Sequence, residues 1–306
     1  MPPILQYLAN GIVFSSIIVL GSVGLSIIYG IADFANFAHG DTMTVGAYGA
    51  LVAYGILGGV GGTLLGLPVG FYGALLVGMG LAAVVAVVTE LVVYRPLNVD
   101  SITLLITSIG VAFVYRAVIQ AIFGNTFRNY AIGHSGPIPV FQQVLGIAVI
   151  ERGVVLVVGA VVLLVLLHHL LQYTTLGRKM RAMADNPDLA RVSGIRTNRV
   201  LLVTWLIGAG LAGAGGVFLG LYSQITPRMG FDLLLIIFAA VILGGLGSVY
   251  GAMLGGFIIG IAHELTPLLS DIGLPIGAEY ASAVAFIIMV VVLFLRPTGI
   301  AGGETA

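Results

Sequence analysis

Residues 153–199 read GVVLVVGAVVLLVLLHHLLQYTTLGRKMRAMADNPDLARVSGIRTNR, and the change of character near Tyr173 decides what kind of molecule this is. Residues 153–171 carry no Asp, Glu, Lys or Arg. As a helix rising 1.5 Å per residue, such a run crosses most of a hydrocarbon layer about 30 Å thick. The next 27 residues, 173–199, hold Arg178, Lys179, Arg181, Arg191, Arg196 and Arg199, half of the twelve basic residues in the chain. An apolar run followed by a basic loop is the pattern of a transmembrane helix leaving the bilayer on the cytoplasmic side.

The rest of the chain agrees with that solvent. Of 306 residues, 59% are hydrophobic and 8% charged, against about 25% charged in an average soluble domain. Twelve basic and twelve acidic residues cancel, so no strongly charged partner, nucleic acid included, is recognised through net field. With no cysteine, disulfides, thiolate catalysis and Cys-ligated metals are excluded. The 45 glycines favour helices that approach closely within lipid. No Lys or Arg precedes Arg95, so the first apolar run lacks the basic start of a cleaved signal and is expected to remain in the mature protein.

Long apolar spans are expected at about 11–31, 68–93, 102–123, 153–171, 200–222 and 279–295. The stretches 40–57, 231–246 and 251–265 are shorter or interrupted by glycine, with Gly244-Gly245-Leu246-Gly247 between the last two. They read as half-spans or re-entrant pieces, tolerated where protein or a water-filled cavity covers the backbone. The expected fold is an all-α integral membrane bundle of eight or nine transmembrane helices, some short or broken, forming a single transmembrane domain over 1–306. Threading outward from the cytoplasmic loop 173–199 puts Arg95 and Arg296 on the same side, and Arg128, Arg152 and Arg228 on the other. Residues 40–50 and 231–240 each place an acid at the start of a small-residue-rich span. With five crossings between them the copies would be inverted, as in many transporters, and chance similarity in apolar sequence accounts for the match equally well.

The loop carries its own structural signals. Asn186-Pro187 reads as an N-cap followed by proline at the first helical position, and Gly194 as a stop. A short helix is therefore expected from about Pro187 to Ser193, after a helical run over about 176–184. Asp188 in its first turn and Arg191 near its end suit the helix dipole. Adjacent helices need two to eight connecting residues, so 27 structured, basic residues point to docking on a cytoplasmic partner. The competing view is a topogenic loop lying on anionic lipid.

The segment TLGRKMRAMADNPDLARVSGI, residues 175–195, resembles the coupling loop of the permeases in branched-chain amino-acid importers driven by ATP-binding cassettes. Ile28-Tyr29-Gly30 with Asn36-Phe37-Ala38-His39-Gly40, and Thr226-Pro227-Arg228-Met229-Gly230-Phe231 with Gly244-Gly245-Leu246-Gly247-Ser248, fit the same family. Resemblance spans about 10–265, and the chain length fits the shorter of its two permease types. It implies a bacterial inner-membrane, multi-pass subunit that pairs with a second, different permease. Two cytoplasmic ATPases supply ATP and magnesium chemistry, and an extracytoplasmic solute-binding protein delivers the solute. The coupling residues it implies are Gly177, Arg178, Asp185, Asn186, Pro187, Ala190, Gly194 and Ile195, with Ala190 allowing close approach to a groove in the ATPase. The implied solute is a branched-chain or similar amino acid; urea or short amides are the alternative.

This chain is expected to need no cofactor, to hold no catalytic or metal-ligating site and to have no ATPase of its own. Its only lysine is Lys179, and no Gly-Lys-Ser/Thr phosphate loop can be written. Gly208-Ala209-Gly210-Leu211-Ala212-Gly213 satisfies GxGxxG inside a long apolar span with no strand before it, which rules against a dinucleotide unit. Gly208, Ala212, Gly216 and Gly220 instead form a small-residue stripe for helix contact, as do Gly251/Gly255 and Gly256/Gly260.

Pathway or gating candidates are Asn36, His39, Asp41, Tyr48, Arg116, Gln120, Gly244 and Gly245. Asp33, Asn36, His39 and Asp41 cluster where one span ends and the next begins, as solvated interfacial residues or as groups orienting a broken helix. One His and two Asp, with no second His four residues away, make a poor metal set. Arg116 lies deep in a span with Gln120 one turn on, so the two can form a polar stripe. An ion-coupled carrier is the rival class, and it should hold acids at mid-membrane. Glu90, Asp100, Glu151 and Asp271 are expected at span ends or loops instead, and Asp41, Asp232 and Glu264 are the acids whose placement stays open. A membrane hydrolase lacks a Gly-x-Ser-x-Gly elbow.

Overall fold

A computed structural model describes residues 3–97, 99–133, 136–144, 146–271 and 277–301. In chain order the helices are α1 Pro3–Ala32, α2 His39–Leu57, α3 Val69–Thr89, α4 Arg95–Leu97, α5 Ser101–Phe123, α6 Pro139–Val144 and α7 Glu151–Tyr173. They continue with α8 Thr175–Asp185, α9 Pro187–Val192, α10 Thr197–Tyr222, α11 Met229–Gly244, α12 Val249–Leu265, α13 Leu268–Asp271 and α14 Ala281–Leu295. A π-helical turn, Glu90–Tyr94, joins α3 to α4 as one continuous rod over Val69–Leu97. A two-stranded hairpin, β1 Thr63–Leu64 and β2 Leu67–Pro68, links α2 to α3.

Six helices are long and apolar enough to cross a membrane, and α11 and α12 are shorter apolar helices. The six match the expected long spans to within a few residues at most ends, the largest differences being the earlier start of the first at Ile4 and the later end of the second at Leu97. The π-turn and α4 extend that second span, so Glu90 is buried inside the rod rather than sitting at its end. The stretches expected to be shorter or interrupted are short rather than interrupted, each one continuous helix: 19 residues in α2, 16 in α11 and 17 in α12. The break falls between α11 and α12, at Gly245, Leu246 and Gly247, where Gly245 has φ 105° and Gly247 φ 79°.

The core consists of α1, α2, α10, α11 and α12, with α5, α7 and α14 largely exposed around it. In lipid, burying apolar area against other apolar groups gains little, so close van der Waals packing must hold helices together. The glycine stripes provide it. Along α10, Gly208 meets Gly24 and Ile28 of α1, Gly213 faces α3, and Gly216 packs on the backbone of Met43 in α2. On α12, Gly251 and Gly255 abut Gly244 and Ala240 of α11, while Gly256 and Gly260 abut Val19 and Ser15 of α1. The expected stripes are thus real contact faces, and α12 uses two of them for two neighbours.

Candidate functional site

Two connections dip into the bundle. Residues 33–38 leave α1 with Asp33 at φ 55° and bury Phe34, Asn36 and Ala38. Residues 223–228 leave α10, and the wholly buried Ile225 exchanges backbone hydrogen bonds with Arg128 at 3.0 and 2.8 Å. As a result, the N-termini of α2 and α11 meet inside the protein. Gly40 packs on the backbone of Gly230, the Gly230 N–H donates to Thr44 Oγ1 at 3.1 Å, and Phe37 lies 4.9 Å from Phe238. From this crossing α2 runs to the face where Gly66 adjoins Glu151 at the start of α7. The other helix, α11, runs to the face of the basic loop, where Gly247 and Tyr250 share a cavity with Met180, Arg181 and Asp185. About 20 Å of helix lies on either side of the crossing at 1.5 Å per residue.

Asp41 and Arg116 come together there. The guanidinium grips the carboxylate with both forks, Nε to Oδ1 at 3.1 Å and Nη2 to Oδ2 at 3.0 Å. The Asp41 side chain is fully buried and that of Arg116 is 11% exposed. Phe231 lies under the guanidinium, 4.3 Å from Cζ to ring centroid, with Phe113 at 5.4 Å. A charge in lipid-like surroundings is stable only when paired, and the bidentate planar geometry satisfies both partners. Asp232, one turn into α11, faces outward and pairs loosely with Arg228 at 3.8 Å.

Asn36 and His39 position this crossing. Asn36 Oδ1 accepts from the Ala38 N–H at 3.0 Å and the Tyr94 hydroxyl at 3.3 Å, so it caps the connection into α2. His39 Nε2 donates to the Gly21 carbonyl at 2.9 Å, tying α2 to α1. The solvated-interface alternative fails for Asn36, His39 and Asp41, at most 2% exposed, and holds for Asp33.

The remaining candidates lie elsewhere. Tyr48 is buried against Phe123, their ring centroids 4.7 Å apart. Gln120 is half-buried one turn along α5 from Arg116, which turns inward to Asp41. Gly244 and Gly245 sit at the far end of α11, about 20 Å of helix from Gly230. There Gly244 packs on Gly251, and Gly245 adjoins Gly299. Phe231 and Tyr94 were missed as site residues, because their contacts with Arg116 and Asn36 join distant segments that no local pattern links.

On the basic face, α8 and α9 form the loop. Thr174 caps α8 by accepting the Gly177 N–H at 3.0 Å, and Gly177 is pressed against the Leu170 and Leu171 carbonyls. Met180 and Met183 are buried, while Arg181 donates to the Leu171 carbonyl and Arg178 and Asp185 are exposed. Asn186 Oδ1 accepts the Leu189 N–H at 2.9 Å, and Pro187 occupies the first helical position of α9. Gly194 at φ 83° ends it, with Ile195 N–H on the Ala190 carbonyl at 3.0 Å and Gly194 N–H on Arg191 at 3.1 Å. Those are the bonds of a glycine-stopped helix. Ala190 is covered by its own chain, so it does not face outward as the resemblance implied. Leu189, 64% exposed, and Val192, 86% exposed, do. Three-residue spacing opposite a buried Ala190 was the signal that could have found them.

A family model described as branched-chain amino acid transport system / permease component matches residues 7–293. The high-affinity branched-chain amino acid transport system permease protein LivH of Escherichia coli K12 is 32% identical, over 97% of this chain and 95% of its own. BraD of Pseudomonas aeruginosa, a permease protein described in the same words, is also 32% identical with the same coverage. A probable LivH of Methanocaldococcus jannaschii is 31% identical over 96% of this chain and 91% of its own. The chain belongs to this family of transport permeases and is a multi-pass membrane protein.

Proposed function

We propose that this chain is one permease subunit of an ATP-binding-cassette importer in a bacterial inner membrane, moving a branched-chain or similar small amino acid. The observation that carries the coupling role is α9, a capped and glycine-stopped helix on the basic face that presents Leu189 and Val192 to water. Two exposed apolar side chains on a short rigid helix are an anchor for a partner groove. The partners are two cytoplasmic ATPases, which bind ATP and magnesium, a second and different permease, and an extracytoplasmic binding protein that selects the solute. The chain acts as a single permease domain without an ATPase site. Nine crossings fit the nine helices of 15 residues or more among the described residues, with the basic face cytoplasmic.

The antiparallel meeting of α2 and α11 supports an inverted repeat: α1, 33–38 and α2 enter from one face as α10, 223–228 and α11 enter from the other. The Asp41–Arg116 pair at that crossing, where Arg116 keeps some exposure, is the pathway element. Closure of the ATPases pushes α9, and α8 carries the push to α1 and to the Gly244–Ser248 turn, which line one cavity with it.

Replacing Leu189 and Val192 with Asp in the complete importer should abolish uptake of labelled leucine and remove the ATPases from co-purification, with membrane insertion unchanged. Unaltered uptake in that double variant would sink the coupling role. Uptake of labelled urea by the unaltered importer, with leucine ignored, would move the solute to the amide class.

A further inference from the structure

Where the coupling loop meets the start of α10, and sharing with α9 only its stop residue Gly194, lies a cavity of about 460 Å³ lined by Leu176, Lys179, Gly194, Arg196, Arg199, Val200 and Val203. It contains three cations. Among the described residues none of the three has an acid within 4 Å, and the nearby Asp188 is turned to Arg191 at 3.9 Å. Lys179 belongs to α8, and Arg196 and Arg199 lie where α10 begins. The floor, Val200 and Val203, belongs to the first two turns of α10, a helix apolar enough to cross the bilayer. The cations therefore ring a pocket at the end of a helix apolar enough to cross the bilayer.

A second cavity of about 290 Å³ continues along the same helix. It is lined on α10 by Leu206, Ile207, Gly210 and Leu211, on α7 by Leu163, Leu166, Leu167 and Leu170, and on α3 by Met79, Gly80 and Ala83. Positions 199, 203, 206 and 210 are three or four residues apart, so they share one face of α10. Leu166 and Leu206 are 61% and 52% exposed, which leaves the groove open sideways to lipid. A basic pocket on an apolar groove matches one molecule, a phospholipid with an anionic headgroup.

We propose that Lys179, Arg196 and Arg199 hold the phosphate of an anionic phospholipid whose acyl chain lies in the groove walled by α3, α7 and α10. The lipid then bridges α8 to α10, the two elements that frame α9, and steadies the coupling loop. A protein acid reaching the same cations from the ATPase is the competing occupant; the apolar groove leading away from the pocket into the membrane favours lipid.

The full-length chain, purified in detergent and stripped of lipid, is titrated with dioleoyl phosphatidylglycerol, dioleoyl phosphatidylcholine or inorganic phosphate, and bound molecules are counted by native mass spectrometry. Each basic group near a membrane surface is worth roughly fivefold in affinity for an anionic lipid. Phosphatidylglycerol should therefore bind at least about tenfold tighter than phosphatidylcholine, and K179Q/R196Q/R199Q should erase the preference. If the triple variant is not recovered folded, R199Q alone, at an exposed position, should lower the preference several-fold. Gly210→Leu tests the groove, because a Cβ there meets nothing within 4 Å. It should weaken both lipids and leave the headgroup preference intact. Equal binding of the two lipids by the unaltered chain would overturn the proposal, as would inorganic phosphate held as tightly as the lipid. So would a triple variant that keeps its lipid preference but no longer co-purifies with the ATPases.

Discussion

The coupling loop and the crossing of α2 with α11 are both polar interruptions of an apolar chain, yet they are built on opposite principles. Every bond that shapes α9 is local: Asn186 to Leu189, Ile195 to Ala190, Gly194 to Arg191. The crossing is held by contacts between distant residues, Asp41 with Arg116, Thr44 with Gly230, His39 with Gly21. Water makes the difference. On the basic face an unmade hydrogen bond is replaced by a water molecule, so a short helix needs only caps and a stop. Within the bundle no water replaces a lost partner, so each polar group depends on one supplied by the protein.

If that contrast is right, the largest loss comes from unpairing the crossing. Arg116→Leu leaves the fully buried Asp41 without its partner, a change that typically costs about 3–5 kcal/mol. Folded permease in the membrane, followed by fluorescence-detected size exclusion, should fall sharply. Replacing both residues, D41L/R116L, should restore much of the folded yield while transport stays low. Recovery of uptake as well would mean that the pair is structural only.

A smaller effect is expected on the loop. Gly194→Val forces a β-branched side chain to φ 83°, at a cost of about 1–3 kcal/mol. The end of α9 should exchange amide hydrogens faster and uptake should drop, with insertion unchanged. If folded yield falls as far as for Arg116→Leu, the loop is not the locally built unit described.

The smallest is Asn186→Ala, which removes one cap for about 1 kcal/mol. Faster exchange confined to residues 187–190 is the expected result, with Asn186→Ser regaining most of the protection. Loosening at Asp41 would show that the two regions are coupled already in the resting protein.

The sequence was a better guide to what faces lipid or water than to what faces protein. The long spans could be read because lipid demands unbroken apolar runs. Helix α2 read as short or interrupted because Thr42, Thr44, Asp41 and four glycines dilute it, yet it is one continuous helix. Protein surrounds it, so it can be polar where its neighbours offer partners. Its threonine hydroxyls bond back to the Ala38 and Gly40 carbonyls at 2.9 and 3.4 Å. Arg116 stood out in the sequence as a deep charge, but nothing in the local pattern named Asp41, 75 residues away, as its partner.

The sequence alone determined the membrane as solvent, the six long spans, the glycine stripes and the cap and stop of α9, since each follows from composition or from bonds spanning a few residues. Only the tertiary structure decided that α2 and α11 meet by their N-termini, that Arg116 turns to Asp41, and that Ala190 faces inward while Leu189 and Val192 face out. Those choices depend on which helices adjoin, and in a bilayer that is set by packing and polar pairing between distant segments rather than by the apolarity they share.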